Sequence, residues 1–433
     1  AHSAEREQYN YKTNGADDWQ VYTLIKDEND FIKLTETPDM WSGNYVLGAD
    51  LDLTKKDFLP IGRSVDNKSV PFTGRFSGGG HTITVAMNSD SYVYAYGVFG
   101  ENNGVIMNLA VKGDIRAEES QRVGGICGSN YGMIYGCSFE GTVYCETNGD
   151  VGGICGSVVD GTIYDCYAIA DVHAASSAGG ICGFAANSPY VCSCYFVGNV
   201  SSSASSNKVG AIFGYGNGSF PNCYYDNEIC NVGDEKGKGV TTKQLCELGY
   251  QLSGHYVNTN IWTKGSYEAQ SGGDRFRTVT CTYPSLVEGC EATPVTRKQY
   301  NFGVDGDDWA EYTVIENEAE FVTLTETPAM WSGNYILGRD LNLANKVVSP
   351  IGDVVDGELV SFSGKFSGNG HTISNVEIND WFADSESAKK YYAGVFGGNS
   401  GTIMNLAVNG NVEGGSYVGG ICGDNDANGV IYG

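Results

Sequence analysis

The stretch VGGICGSNYGMIYGCSFEGTVY, from Val123 to Tyr144, is one copy of a sequence repeat that recurs along the chain. Further copies begin at Tyr96, Val151, Ala178 and Val209. Aligned on Val98, Ile126, Ile154, Ile181 and Ile212, the copies are spaced by 28, 28, 27 and 31 residues. Self-similarity at such a period predicts an architecture of stacked repeats.

The aligned copies expose columns of apolar side chains. These columns are Ile106, Ile134, Ile163, Val191 and Phe220; Leu109, Cys137, Cys166, Cys194 and Cys223; Val111, Phe139, Ala168, Phe196 and Tyr225; and Ile115, Val143, Val172 and Val200. The two-residue step between columns is typical of β-strands. Since one copy is too short to bury its own apolar face, copies must stack.

The predicted fold is therefore all-β: a right-handed parallel β-helix, or solenoid, with small helical caps. Equivalent strands would lie about 4.8 Å apart, and the handedness follows the rule for parallel crossovers. The Gly pair that opens each copy predicts a sharp corner or bulge with positive φ. The copies contain too few leucines for a leucine-rich repeat, and a propeller blade needs about 40 residues.

The fourteen cysteines follow the same columns. Cys127, Cys155 and Cys182 share one column with Phe99 and Phe213. A cysteine that alternates with Phe or Leu behaves as a small hydrophobe, so packed free thiols are predicted. Zinc is disfavoured because the chain has no CxxC pair. Cys281 and Cys290 lie outside the repeats and are the best candidates for a disulfide.

Four segments are predicted along the chain. Residues 1–95 form an N-terminal cap and leading strands, 96–227 the β-helix repeats, 228–290 a C-terminal cap, and 296–433 a second unit that stops in mid-repeat. The caps contain predicted helices at Asp27–Thr35 and Val240–Gly254, the latter N-capped by Thr241 or Thr242. Caps are expected because a solenoid exposes edge strands at its ends.

The second unit repeats the first at an offset of 290 residues. YTLIKDENDFIKLTETPDMWSGNYVLGADLDL at 22–53 matches YTVIENEAEFVTLTETPAMWSGNYILGRDLNL at 312–343, and PFTGRFSGGGHTI at 71–83 matches SFSGKFSGNGHTI at 361–373. About seven extra residues precede GVFG at Gly394, and VGGICG recurs at Val418. The chain stops where Gly136 would stand and has a polar beginning, so we expect a mature or trimmed part of a longer protein.

Composition excludes several classes of function. The chain has 433 residues, 26 basic and 52 acidic, and a formal charge of −26. Nucleic acids and anionic membrane surfaces require clustered Lys and Arg, so neither is expected as a partner. No apolar run approaches the roughly 20 residues of a membrane-spanning helix. We expect a monomer without cofactor.

The phrase GGICG–NxGxIxxCxxxGxV resembles the GLUG motif of bacterial surface proteins. The leader resembles their usual series, DLDL, PIG, FSGxFSGxGHTI and GVFG, and the closing WTKG and TYPSL are similar to the ends of such units. The resemblance implies a right-handed β-helix in a secreted or cell-surface protein of gut or mucosal bacteria. Such proteins serve as adhesins or as non-catalytic regions of IgA-protease-like metallopeptidases. Cys in GGICG departs from the commoner Val or Phe and suggests a reducing or anaerobic setting.

Motifs of catalysis do not stand out, so we predict that the chain is not an enzyme. HExxH and GxSxG are both missing. His81 and His371 occupy equivalent turns, where a histidine bonded to the backbone is favoured over a ligand or base. Asp50, Asp52 and Asp340 are interpreted as solvated strand-end carboxylates rather than calcium ligands, because no EF-hand-like spacing is present.

One outward feature suggests binding. Tyr167, Tyr195 and Tyr224 follow the column cysteines and should stack on the outer surface, beside a shorter stack of Tyr135 and Tyr164. Aromatic ladders can dock sugars or protein loops. They can equally be cross-rung pairs that stabilise the sheet. Both interpretations stay open at this point.

These observations favour an extracellular or cell-surface module for adhesion or display, binding a host or microbial glycan or protein. The alternative is the non-catalytic β-helix region of an IgA-protease-like metallopeptidase. A polysaccharide-active β-helix enzyme is a third interpretation, disfavoured because paired carboxylates are not evident on one face.

Overall fold

The computed structural model describes residues 6–10, 19–147, 149–203, 208–248, 252, 262–271, 276–286, 295–301, 309–346, 348–355, 358–379 and 392–433. It is 54% strand and 9% helix, with a parallel β-solenoid of about 12 turns and three short helices. The predicted all-β parallel solenoid is confirmed, and its handedness stays a prediction. Two compact units are present, residues 1–272 with 277–297 (unit 1) and 273–276 with 298–433 (unit 2).

Each repeat of unit 1 contributes strands to four parallel sheets, named A to D in chain order. Sheet A contains Val93–Tyr96, the end of Ala110–Gly124, Asp150–Gly152, Ser177–Gly179 and Val209–Gly210. Sheet B contains Phe99–Asn102, Cys127–Asn130, Cys155–Val159, Cys182–Ala186 and Phe213–Gly216. Sheet C contains Trp19–Ile25, Asn44–Leu47, Arg75–Ser77, Val105–Met107, Met133–Tyr135, Thr162–Tyr164 and Tyr190–Cys192. Sheet D contains Leu51–Asp52, Thr82–Ser89, the start of Ala110–Gly124, Ser138–Thr147, Tyr167–Ala174, Tyr195–Val197, Val200–Ser202, Tyr224–Asp226 and Lys238–Val240.

The strand register confirms the predicted columns. Ile106 pairs with Ile134, Ile134 with Ile163 and Ile163 with Val191, and all four are fully buried. The columns that begin at Val111 and Ile115 continue in register through sheet D in the same way. Stacking therefore produces the continuous apolar interior that a single repeat cannot form.

The positive φ predicted for the Gly pair is wrong, whereas the predicted corner is present, since the chain bends at Gly125 and Ile126 between sheets A and B. Gly124 and Gly125 do not have a left-handed φ. They are required by close packing: a Cβ on Gly125 would lie 2.3 Å from the carbonyl oxygen of Gly153 and 2.3 Å from the ring of Phe139. The backbone of one turn therefore approaches the next too closely for any side chain.

The left-handed corner lies elsewhere, directly before the column of Leu109 and the cysteines. The residues there have φ between 48° and 60°: Asn108, Gly136, Asp165, Ser193 and Asn222. Gly, Asn and Asp adopt this conformation at lower cost than other residues. This column turns the chain from sheet C into sheet D in every repeat.

Both ends of unit 1 carry helices near the predicted positions. Helix Glu28–Glu36 begins after Asp27, whose carboxylate accepts from the backbone N–H of Asn29 and Asp30 at 2.9 and 3.0 Å. A 3-10 turn follows at Pro38–Met40. Arg6–Asn10 pairs antiparallel with the first strand of sheet C, and Arg63–Val65 pairs with Lys68–Val70.

The C-terminal cap of unit 1 begins with helix Thr242–Leu248. Thr241 is its cap: its Oγ1 accepts from the N–H of Gln244 at 3.2 Å, and Gln244 Oε1 accepts from the N–H of Thr241 at 3.0 Å. This reciprocal pair is a capping box. The predicted extension of the helix to Gly254 falls partly outside the described residues. Strands Ser266–Ser271 and Phe276–Thr282 then pair antiparallel.

Unit 2 repeats this plan over fewer turns. Its helix Glu318–Glu326 is capped by Asn317, and a 3-10 turn follows at Pro328–Met330. Strand Val295–Asn301 begins before the unit and continues into it. The other strands of the unit are Trp309–Glu311, Thr313–Ile315, Asn334–Leu337, Leu341–Asn342, Val354–Val355, Glu358–Leu359, Lys365–Ser367, Thr372–Asn379, Tyr392–Ala393, Phe396–Asn399, Thr402–Met404, Ala407–Glu413, Tyr417–Val418, Cys422–Asn425 and Val430–Tyr432. None of the helices that the structure describes has the length and apolar character needed to cross a membrane.

The cysteines of the repeats are packed free thiols, as predicted. Those of the repeat columns in unit 1 are buried and unpaired. Burial raises the pKa of Cys155, Cys166, Cys182, Cys194 and Cys223 well above the ordinary value. Cys281 is buried, and Cys290, its predicted disulfide partner, lies outside the described residues, so this disulfide stays a prediction. Since the thiolate is the reactive form, these thiols are poor nucleophiles and serve the core.

Candidate functional site

The predicted tyrosine ladders do stack. The rings of Tyr167 and Tyr195 lie 5.0 Å apart with an angle of 2° between their planes, and those of Tyr135 and Tyr164 lie 5.0 Å apart at 3°. The parallel register places each ring directly over its neighbour on the next strand. Tyr224 continues the longer column, paired with Tyr195 across adjacent strands.

The predicted exposure of Tyr167 and Tyr195 in the longer ladder is wrong, whereas Tyr224 is half-buried. Tyr167 and Tyr195 are both 0% exposed because the C-terminal cap covers this part of sheet D. The ring of Trp262 lies 6.2 Å from Tyr167 and 5.6 Å from Tyr195. Tyr195 also donates its hydroxyl proton to the carbonyl of Pro284 at 2.6 Å. A ligand from solvent cannot reach these two rings, and they serve to dock the cap.

The shorter ladder is integrated into sheet C. Tyr164 is 7% exposed, and Tyr135 is half-buried. The Tyr135 hydroxyl lies 2.8 Å from Met107 Sδ, and the Tyr164 hydroxyl 3.5 Å from Met133 Sδ. Both ladders have the geometry of cross-rung pairs that stabilise a sheet, and a binding role for Tyr135, Tyr164 and Tyr224 stays a prediction.

Two buried carboxylates lie beneath the C-terminal cap. Asp226 accepts hydrogen bonds from Thr242 Oγ1 at 2.6 Å and Tyr283 Oη at 2.7 Å. Asp165 accepts from the indole N–H of Trp262 at 3.2 Å. Burial raises the pKa of each carboxyl to about 6, against the lowering effect of these hydrogen bonds. The cap is therefore held by groups that titrate near neutrality.

Cap docking is expected to strengthen as pH falls. A pKa raised from 3.8 to about 6 makes a contribution to stability that is complete below pH 4 and is lost as pH rises through 6. The effect is on the order of 3 kcal/mol for each carboxyl at pH 7.5. Hydrogen-exchange protection of Phe276–Thr282, corrected for intrinsic exchange, should be higher at pH 5 than at pH 7.5.

The double variant Asp165→Asn and Asp226→Asn controls for the general charge of this acidic chain. It should lose most of the difference in protection between the two pH values, because the groups that titrate are gone. A difference of unchanged size in the double variant would contradict this role for the two carboxyls.

The histidine turns are structural and are duplicated. The backbone N–H of His81 donates to Gly78 O at 2.9 Å, and its Nδ1 lies 3.2 Å from Asp50 Oδ1. Asp50 also accepts from the N–H of Thr82 at 2.9 Å. His371 and Asp340 repeat the arrangement in unit 2 at 3.3 Å. In the described part of the chain, no group of three or more His, Cys, Asp or Glu is placed to hold a metal.

A different surface carries accessible aromatic side chains. We call it the corner strip: the outward residues of sheets A and B where the two sheets meet in unit 1. Sheet A contributes Arg122, Asp150 and Ser177 in register, with Lys208 beyond them. Sheet B contributes Ser129, Ser157, Phe184 and Tyr215 in register. Tyr94 and Tyr131 flank its first end.

Cation–aromatic clusters occupy both ends of the corner strip. The guanidinium of Arg122 lies 4.7 Å from the ring centre of Tyr94, and its Nη1 donates to Tyr131 Oη at 3.3 Å. At the other end, Lys208 Nζ lies 5.4 Å from the ring centre of Tyr215. Tyr131 is 37% and Tyr215 50% exposed, so solvent reaches both rings.

The middle of the corner strip is acidic and hydrogen-bonded. Ser177 Oγ donates to the carboxylate of Asp150. Burial raises the pKa of Asp150, and the nearby charges of Arg122 and Lys208 act in the opposite direction. Ser129, Ser157 and Ser177 are buried, so the accessible part of the strip is its two aromatic ends, with the half-buried Asp150 between them. Aromatic faces beside cationic and acidic groups suit a polar ligand.

Unit 2 carries aromatic side chains at the equivalent place. Tyr392 and Tyr417 replace Ala95 and Arg122, and their rings stack at 5.0 Å and 14°. Tyr417 is 51% exposed. The sequence did not reveal this surface, because its aromatic residues stand at different positions in different copies and form no column.

The fold and these surfaces define the chain as a parallel β-solenoid repeat protein. Residues 119–144 match the family model of the GLUG motif. The resemblance to GLUG-motif proteins is therefore confirmed at this repeat, while the bacterial-surface context stays a prediction. No curated protein and no solved structure gives a significant match to the chain.

Proposed function

We propose that the chain is a non-catalytic adhesion or display module of a secreted or cell-surface protein, and that its corner strip binds a glycan or protein of a host or microbial surface. The observation that carries this proposal is the pair of exposed cation–aromatic clusters at the two ends of the strip. Exposed tyrosines beside Arg are over-represented at binding surfaces because they combine contact area with polar groups.

Other features support a role without catalysis. A GLUG motif is compatible with a non-catalytic surface repeat region. The column thiols have raised pKa values and are buried. The buried carboxyls Asp165 and Asp226 are engaged in docking the cap. These thiols and carboxyls are therefore engaged in the fold.

The corner strip is tested with the full chain on an immobilised mucin glycoprotein, by biolayer interferometry. The double variant Tyr131→Ala and Tyr215→Ala should weaken binding about tenfold or more, because it removes one accessible ring from each cluster. Val21→Ala is a matched control, since Val21 is 46% exposed but lies on sheet C. Periodate oxidation of the mucin separates glycan binding, which it abolishes, from protein binding, which it spares.

The proposal fails if the wild-type chain does not bind the mucin or whole bacterial cells. It also fails if the double variant binds as tightly as the wild type. A fall in affinity of the same size in Val21→Ala would show that the strip has no special role.

A further inference from the structure

Unit 1 contains a cavity of about 330 Å³ away from the corner strip. It lies between the end of helix Glu28–Glu36, the segment 56–63 and the second half of strand Thr82–Ser89. Among the described residues, that half of the strand has no strand partner from the preceding turn, since Leu51–Asp52 pairs with Ile83 and Thr84. Ligand pockets in proteins start at about 300 Å³, so the cavity has room for one small ligand.

Arg63 brings unused hydrogen-bond donors to the cavity. Its Nη1 donates to the carbonyls of Thr35 and Pro60, both at 2.8 Å, and its guanidinium lies 5.1 Å from the ring centre of Trp41. A guanidinium has five N–H donors. Its Nε and Nη2 groups have no hydrogen-bond partner among the described residues. Burial lowers the pKa of Arg63, which indicates that the guanidinium is partly desolvated beside the cavity.

Tyr96 brings a second unused polar group. The residue is only 2% exposed, yet it lines the cavity. Its hydroxyl has no hydrogen-bond partner in the described part of the chain. Burial raises the pKa of Tyr96 to about 12, so the hydroxyl stays protonated and can donate as well as accept.

Comparison with unit 2 shows that the fold does not require these side chains. The framework is kept: Trp41 and Trp331 each donate their indole N–H to a helix carbonyl, at 2.8 and 2.9 Å. The lining is not kept. The unit 2 residues at the positions of Phe58, Leu59, Arg63 and Tyr96 are Val348, Ser349, Asp353 and Ala393. Unit 2 therefore forms the same framework with Asp353 and Ala393 in place of Arg63 and Tyr96.

The charges of the lining define the ligand class. Lys56 and Arg63 are balanced by Glu36 and Asp57, so the cavity has no net charge. The two carboxylates would repel an anion, and the two basic groups would repel a cation. Phe58 and Leu59 add an apolar wall beside these donors and acceptors. A neutral pyranose matches this lining, because it has an apolar C–H face and a rim of hydroxyls that both donate and accept.

We infer that this cavity is a binding site for one neutral sugar residue, such as the terminal hexose or N-acetylhexosamine of a glycan. The inference stands apart from the corner strip and holds whether or not the strip binds a ligand. A single sugar in a small, open site is expected to bind with a Kd of about 1 mM.

Saturation-transfer NMR tests the inference on the full chain with methyl glycosides of glucose, galactose and N-acetylglucosamine. Leu59→Trp should abolish transfer, because Leu59 is 53% exposed at the rim and an indole there fills the entrance without disturbing the core. Ser349→Trp, the equivalent change in unit 2, should leave transfer unchanged. Tyr96→Phe removes only a hydroxyl and should weaken binding several-fold, with no loss of thermal stability.

Three results would overturn the inference. They are the absence of transfer to every neutral glycoside, transfer confined to the anionic sugars glucuronate and sialate, and transfer that survives Leu59→Trp. Each measurement is made in the Tyr131→Ala and Tyr215→Ala background, which removes transfer at the corner strip and should not affect transfer at this site, so failure here is distinguishable from failure of the mucin-binding proposal.

Discussion

Replacing Gly125 with alanine is expected to destabilise unit 1 by about 3 kcal/mol. The new methyl group would lie 2.3 Å from the carbonyl oxygen of Gly153, and the ring of Phe139 blocks the other side at the same distance. The oxygen belongs to the backbone of the next turn, so it can retreat only if the turns separate. The measurement is calorimetric melting of the full chain, in which the transition of unit 1 should move to lower temperature.

Gly420 provides the matched control. It is the equivalent of Gly125 in unit 2, but nothing lies within 4 Å of its Cβ position. Gly420→Ala should therefore leave the melting profile unchanged. If both alanine variants melted alike, close packing of the turns would not be the reason for this glycine, and loss of backbone freedom would be the better explanation.

The interior of the solenoid could be predicted from the sequence because stacking repeats the same local rule in every turn. Ile106, Ile134 and Ile163 are recognisable as equivalent since each faces the same neighbours one turn away. In-register pairing follows from the two-residue period, because a slip by one residue would expose the whole column. The cysteines that alternate with Phe and Leu were recognised as core residues for the same reason.

The outer surface could not be predicted in this way. Whether an outward ring meets solvent depends on segments far along the chain, and Trp262 is 97 residues from its partner Asp165. The rule of alternation placed Tyr167 and Tyr195 outside the solenoid, which is where they lie. It contained no information on the cap that folds over them.

The position of the residues with positive φ could have been predicted from the sequence. The left-handed corner is occupied by Asn108, Gly136, Asp165, Ser193 and Asn222, one residue before a column that had already been aligned. Asn, Gly and Asp recurring at one repeat position are typical of positive φ. Positive φ was instead predicted for the Gly pair, although glycine also occurs where two backbones approach closely.

Replacing Tyr195 with alanine is expected to release the C-terminal cap, at a cost of about 4 kcal/mol. The ring is fully buried between Tyr167 and the cap, where it contacts Trp262 and Tyr283 at centroid distances of 5.6 and 6.3 Å. Its removal leaves a cavity at the joint and breaks the hydrogen bond to Pro284. Hydrogen exchange should show loss of protection in Thr242–Leu248 and Phe276–Thr282, while the turns of sheet B stay protected.

Two further variants separate cap docking from ligand binding. Tyr195→Phe keeps the ring and loses only the hydrogen bond, so its cost should be about 1 kcal/mol with the cap still docked. Tyr135→Ala, in the half-buried stack on sheet C, should cost less than Tyr195→Ala and leave protection of the cap intact. If Tyr195→Phe abolished mucin binding while the cap stayed protected, the buried ladder would be a ligand site after all. Unchanged binding would show that the Tyr195 hydroxyl serves the contact between sheet D and the C-terminal cap, because a ring without solvent exposure can affect binding only through the segments that it packs against.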